Sequence, residues 1–243
     1  MADRATSRVG AAGAVGTVDG VAQDPSEALR LNKARGVPQL TWLAMNESFP
    51  TLCATILWRR LDQPGHDTAM LMQTAGGWQL SGVAVLAESD RPCRLEYEIN
   101  CDSHWLTRRC SIHGYLGTNA VALEIERSGS GEWTVGGDLL ATLTGCDDID
   151  LGFSPATNLL PIRRLGLDVG ATAVVRAAWV RFPELATELL EQAYTRLTAD
   201  HYLYESAGGA FRRELIVDRT GFVSDYPGLW RAEATASYLD PVS

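Results

Sequence analysis

The feature that most restricts how this chain can fold is a two-residue alternation of apolar and polar side chains, recurring from about residue 51 onward. Leu95, Tyr97 and Ile99 alternate with Arg94, Glu96 and Glu98, and Val121, Leu123 and Ile125 alternate with Glu124 and Glu126. Successive side chains of a strand point to opposite faces, so this period marks strands with one dry and one wet face. The same reading predicts strands over 51–60, 78–87, 106–116, 132–136, 172–182, 192–205, 211–217 and 222–226. Turn signals separate them at Gly76-Gly77, Gly117-Thr118-Asn119, Ser128 to Gly131, Gly136-Gly137, Gly208-Gly209 and Asp218 to Gly221. Leu185, Leu189 and Leu190 stand at helical spacing, which predicts a short helix over 184–194. Strands joined by short turns, without helices between them, indicate antiparallel pairing. A sheet of about ten strands tends to curl or close. The expected fold is therefore mainly β: a large, strongly curved antiparallel sheet or half-barrel with few short helices and a concave apolar interior.

Residues 51–238 are expected to form this single β domain. The preceding residues 1–50 read as a Gly- and Ala-rich tail plus a short helix over about 24–35. Asp24 would be its N-cap, Pro25 its first residue and Glu27 its capping-box partner, with Gly36 and Pro38 ending it. The net charge of −9 argues against nucleic-acid or anionic-membrane partners, because both demand a basic surface. No apolar run approaches the roughly 18 residues of a transmembrane helix, and the N-terminal stretch is too weakly hydrophobic for a secretory signal. Five cysteines, an odd number without a CxxC pair, read as reduced and mostly buried thiols, and a cytoplasmic location is expected.

The densest chemistry lies in Gly145–Leu167, where Asp147, Asp148 and Asp150 precede two prolines, Asn158 and the pair Arg163-Arg164. Carboxylates this close can bind a hard cation, pair with Arg163, Arg164 or Arg108, or face a ligand. Pairing is the ordinary outcome for partly buried acids. Cys101-x-x-His104 and Cys110-x-x-His113 carry zinc-type ligands, yet residues three apart on a strand face opposite sides and cannot share a metal. Core thiols and edge histidines are the better account. Neither a G-x-S-x-G elbow nor a dinucleotide loop is present. Trp58, Trp78, Trp105, Trp133, Trp179 and Trp230 recur about once per predicted hairpin, several beside polar groups. Indole can fill a sheet core or stack on a sugar.

GCDDIDLGFSPATNLLPIRRL, over 145–165, resembles the signature of the bacterial "putative glycolipid-binding" family, once catalogued as a domain of unknown function. Further matching pieces include Trp58 to Asp62, Gly77 to Gly82, Asp102 to Arg108, Tyr202 to Tyr204 and Val217 to Pro227, so the resemblance covers about 51–235. It implies a curved sheet or barrel similar to lipoprotein-carrier folds, a glycolipid-like ligand, and neither cofactor nor catalytic residues. The leading expectation is a non-enzymatic binder or carrier of an amphipathic small molecule, held in an apolar pocket of at least about 300 Å³. Arg108, Arg163, Arg164, Asp148 and Asp150 would bond its head group, with Trp78, Trp105 or Trp230 stacking on a sugar. Asp102, Asn158 and Tyr226 complete the candidate set. The alternative is a hydrolase or isomerase of a sugar- or lipid-like metabolite, acting through the aspartate cluster.

Overall fold

A computed structural model describes residues 49–238, so the tail and helix expected before residue 50 lie almost wholly outside the described residues. Within them the chain forms one fifteen-stranded sheet, in the order β8-β7-β6-β5-β4-β3-β2-β1-β15-β14-β13-β12-β11-β10-β9. The first half comprises β1 (Thr51–Arg60), β2 (Gly65–Thr74), β3 (Gly77–Glu88), β4 (Arg91–Asp102), β5 (Thr107–Leu116), β6 (Asn119–Arg127), β7 (Trp133–Val135) and β8 (Asp138–Leu139). The second comprises β9 (Asp148–Leu151), β10 (Thr172–Val180), β11 (Thr187–Arg196), β12 (His201–Ser206), β13 (Phe211–Val217), β14 (Val223–Tyr226) and β15 (Trp230–Ser237). Each half is a run of hairpins between sequence neighbours, and β1 pairs with β15 to join them. All pairings are antiparallel except β9 with β10.

The sheet is curled but not closed. The Thr107 N–H, at the start of β5, donates to the Asp147 carbonyl just before β9 at 3.1 Å. Those two positions stand far apart in the strand order, so only strong curvature brings them together. The alternation places Cys93, Leu95, Tyr97, Ile99 and Cys101 of β4 on the buried face. One core joins them to residues of both halves. Between β9 and β10 the chain makes a short helix, α1 (Leu159–Leu165), whose Leu159, Leu160, Pro161 and Ile162 are buried in that core. Pro161 stands in the first turn, where its missing N–H costs nothing. Arg163 and Arg164 occupy the last turn, where cations complement the helix dipole. Gly166 ends the helix at φ +51°.

Two sequence expectations need correction. The predicted helix over 184–194 is instead the strand β11, which pairs with β10 on one edge and β12 on the other. Leu190, Gln192 and Tyr194 share one face of it, a period of two that the neighbouring Leu185, Leu189 and Leu190 obscure. The strand predicted over 192–205 is split by a turn, where the Leu197 N–H meets the His201 carbonyl at 2.8 Å. β2, β8, β9, β15 and α1 were not foreseen. No helix among the described residues is long and apolar enough to cross a membrane.

Candidate functional site

β9 is only four residues long, but its period puts Asp148 and Asp150 on the same face, toward the interior. Their surroundings then separate them. Asp148 is buried and receives both Nε and Nη2 of Arg164, at 3.0 and 2.5 Å, across to α1. Burial raises its carboxyl, and the guanidinium opposes that shift. Asp147 takes Arg127 at 2.9 Å. Both acids therefore have arginine partners, as a charge-pairing network requires.

Asp150 has none. Its Oδ2 accepts from the Gln192 amide at 2.5 Å and its Oδ1 from the Thr157 hydroxyl at 3.4 Å, both neutral donors. Burial pushes its carboxyl up to about 6, while Gln192 and Thr157 pull the other way. Asp150 is enclosed by protein yet keeps accessible surface, because that surface looks into a cavity of about 390 Å³. The cavity lies on the inner face of the β9–β15 half, against the segment that follows β9. Its apolar wall holds Trp179, Leu190, Phe211, Leu229 and Trp230. Tyr204, Tyr226, Asn158, Ser154 and Ser206 supply polar edges. The rings of Tyr204, Phe211 and Tyr226 form a triangle, with centroids 5.9–6.3 Å apart. The hydroxyls of Tyr204 and Tyr226 are raised above their ordinary range, first by burial and also by the Asp150 charge.

Ser154 links the cavity to a second buried acid. Its hydroxyl lies 2.5 Å from Asp67 Oδ2 and 3.1 Å from the Tyr97 hydroxyl. Asp67, on β2, is completely inaccessible, and burial pushes its carboxyl up to about 7 against the hydrogen bonds of Ser154, Tyr97 and the Thr68 backbone.

Four of the sequence-predicted site residues, Asp150, Asn158, Tyr226 and Trp230, line the cavity. Asp148 and Arg164 stand behind Asp150 and tie β9 to α1. The other five gather elsewhere. Trp78 and Trp105 stack on each other with centroids 4.3 Å apart, and the Arg163 guanidinium lies over Trp105 at 5.4 Å. Asp102 caps the intervening turn: its Oδ1 accepts from the His104 and Leu106 N–H groups, and its Oδ2 from Arg108 at 2.6 Å. Burial alone would raise the Asp102 carboxyl, but these donors together hold it below the usual range. Trp58 and Trp133 are core residues whose indole N–H groups reach the carbonyls of Val223 and Cys146.

Trp179 and Tyr204 line the cavity but were not among the predicted site residues, and neither was Gln192, which stands outside the lining and donates to Asp150. Gln192 was visible as a polar residue between inward Leu190 and Tyr194, but only to a reading that made 187–196 a strand. Cys101 and Cys110 are buried while His104 and His113 are exposed, so the two pairs do not converge. Among the described residues no group of three or more His, Cys, Asp or Glu could hold a metal. A depression of about 430 Å³ on the opposite face of β2–β5 is lined mainly by outward residues such as Thr68, Ser81, Glu96 and His113. It brings together no buried polar group comparable to Asp150.

No curated protein matches the chain. A crystal structure of a DUF1089 family protein from Pseudomonas aeruginosa is similar to it, with 38% sequence identity and a TM-score of 0.61. The similarity covers 68% of this chain and 91% of that one. A family model described as "Putative glycolipid-binding" matches residues 55–232. Most of the chain falls inside that match, and the chain belongs to this family.

Proposed function

We propose that the protein binds an amphipathic small molecule of glycolipid type, without turning it over, in the cavity under β9–β15. The observation that carries this reading is the composition of one cavity wall against the other. Trp179, Leu190, Phe211, Leu229 and Trp230 offer apolar and ring surface, whereas Asp150, Asn158 and Ser154 offer fixed hydrogen-bonding groups. A sugar presents C–H faces that stack on indole and hydroxyls that donate to a carboxylate. The volume of about 390 Å³ stands near the lower end of small-molecule sites. It suits a head group and the first part of a chain, with a longer chain leaving through the mouth. Asp148 and Arg164 act behind the site by holding β9 against α1. The family description supports the ligand class. Five buried, unbridged cysteines support a reducing, cytoplasmic location.

The enzymatic alternative through the aspartate cluster is weaker. Arginines neutralise Asp147 and Asp148, so Asp150, whose raised carboxyl is the one feature that favours an enzyme, would have to act without the rest of that cluster. The test is native mass spectrometry of protein purified from its own host, with organic extraction of whatever it carries. An extractable amphiphile, displaced when Trp230→Ala narrows the stacking surface, is the expected result. Empty protein that also ignores a broad panel of glycolipids would remove the reading.

A further inference from the structure

We infer that the head group taken by this cavity carries a protonated amine, whether on an amino sugar or on another alkylammonium. The inference rests on the amphiphile-binding reading above and narrows it. Three observations lead to it. First, Asp150 is the one acid of its cluster without a cationic partner: Asp147 has Arg127, Asp148 has Arg164, and Asp150 has only an amide and a hydroxyl. A carboxylate enclosed by protein and lacking a counter-charge is costly, so a cation delivered by the ligand offsets a penalty that a neutral hydroxyl leaves in place.

Second, neither lysine nor arginine lines the cavity among the described residues. Arg213 over Phe211 at 4.7 Å and Arg60 over Trp230 at 5.8 Å stand outside that lining, so a phosphate or sulfate head would meet Asp150 with no cation of the lining beside it, which disfavours anionic amphiphiles. Third, five of the residues lining the cavity are aromatic. The triangle of Tyr204, Phe211 and Tyr226, with Trp179 and Trp230 beside it, presents ring surface to whatever Asp150 holds. Ring faces attract ammonium and N-alkyl groups through the ring quadrupole, most strongly where water is excluded. Aromatic walls around one carboxylate favour a cation over a neutral polyol of the same size.

Two buried carboxyls near the cavity titrate close to neutrality, Asp150 at about 6 and Asp67 at about 7. The other groups around Asp150 are Asp148, paired with Arg164, and Tyr194, Tyr204 and Tyr226, all raised by burial and neutral in this range. A bound ammonium favours ionised Asp150, so cation affinity rises as pH climbs from 5 to 7, while affinity for a neutral glycoside stays flat.

The experiment is isothermal titration of the full chain with three octyl probes below their micellar concentrations: octylammonium, octyl glucoside and octyl sulfate. The ammonium probe is expected to bind at least about tenfold more tightly than the glucoside, the size of one charge-assisted contact. The sulfate should bind least. Asp150→Asn, of nearly the same shape, should bring ammonium and glucoside within about threefold of each other and abolish the pH dependence. Asp67→Asn should keep both. If Asp150→Asn does not fold, the order of the three probes and the pH dependence of the unsubstituted chain still decide. A glucoside that binds as well as the ammonium overturns the inference and leaves the amphiphile reading standing. Failure of all three probes removes both.

Discussion

Asp67 sits on the buried face of β2 with no accessible surface and no cation beside it, held by the hydroxyls of Ser154 and Tyr97. Its carboxyl binds a proton up to about pH 7 in the folded chain, against the usual 3.8. The folded state therefore holds this proton where the unfolded chain has released it. The stabilisation is complete below about pH 4 and is lost as pH rises through about 7, a swing on the order of 4 kcal/mol. Asp150, raised to about 6, adds to the trend in the same direction. Urea denaturation at pH 5 and pH 8 should show the protein more stable at pH 5. Asp67→Asn should shrink the difference without abolishing it, and equal stability of the unsubstituted chain at both pH values would contradict this account. At the residue scale the sequence revealed chemistry only where it was crowded. Asp147, Asp148 and Asp150 stood out because they are clustered, whereas Asp67 between His66 and Thr68, and Gln192 after Glu191, sit in the mixed polar company of ordinary strands. Nothing in the chain around them tells which face is dry until the strand partners are known.

Elements in this fold are shaped by what crosses them. On β3, Gly82 faces inward beneath the Tyr97 ring, and a Cβ there would collide with the Tyr97 hydroxyl and the Thr68 carbonyl. The missing side chain lets a β4 tyrosine lie across β3 and reach Asp67 on β2. Gly82→Ala should therefore destabilise the fold by about 1–3 kcal/mol, the usual cost of overpacking a core, lowering the midpoint of chemical denaturation. The change should also shift the pH trend attributed to Asp67, because Tyr97 is displaced with it. Strands such as β4 and β6 were legible because their two faces differ in polarity. β11 was not, because its outward Leu189 adjoins inward Leu190 and the pair imitates a helix face. α1 was hidden for the opposite reason: seven residues containing a proline and two arginines carry too little periodicity to register, and the helix exists because Leu159, Leu160 and Ile162 find a core.

For the whole molecule, curvature was foreseen from strand number alone, and the means of holding it was not. One backbone bond from Thr107 to Asp147, and the Thr107 hydroxyl accepting from the Ile149 N–H, bring β9 to β5 without a continuous ladder. The strand order has a further consequence, for the time course of folding. Along β1, the edge facing β2 pairs residues separated by one short turn, while the edge facing β15 pairs Ala54 with Ser237 and Arg60 with Trp230, from opposite ends of the described chain. Closing so long a loop costs entropy that the local hairpins do not incur, and topologies rich in distant pairings fold slowly. The same strand should thus acquire its two sets of hydrogen bonds at different moments. In pulse-labelling hydrogen exchange during refolding, the β1 amides bonded to β2 should become protected before those bonded to β15. Simultaneous protection would mean that the two half-sheets never exist apart, and an early seam would make β1 and β15 the nucleus rather than the last stitch.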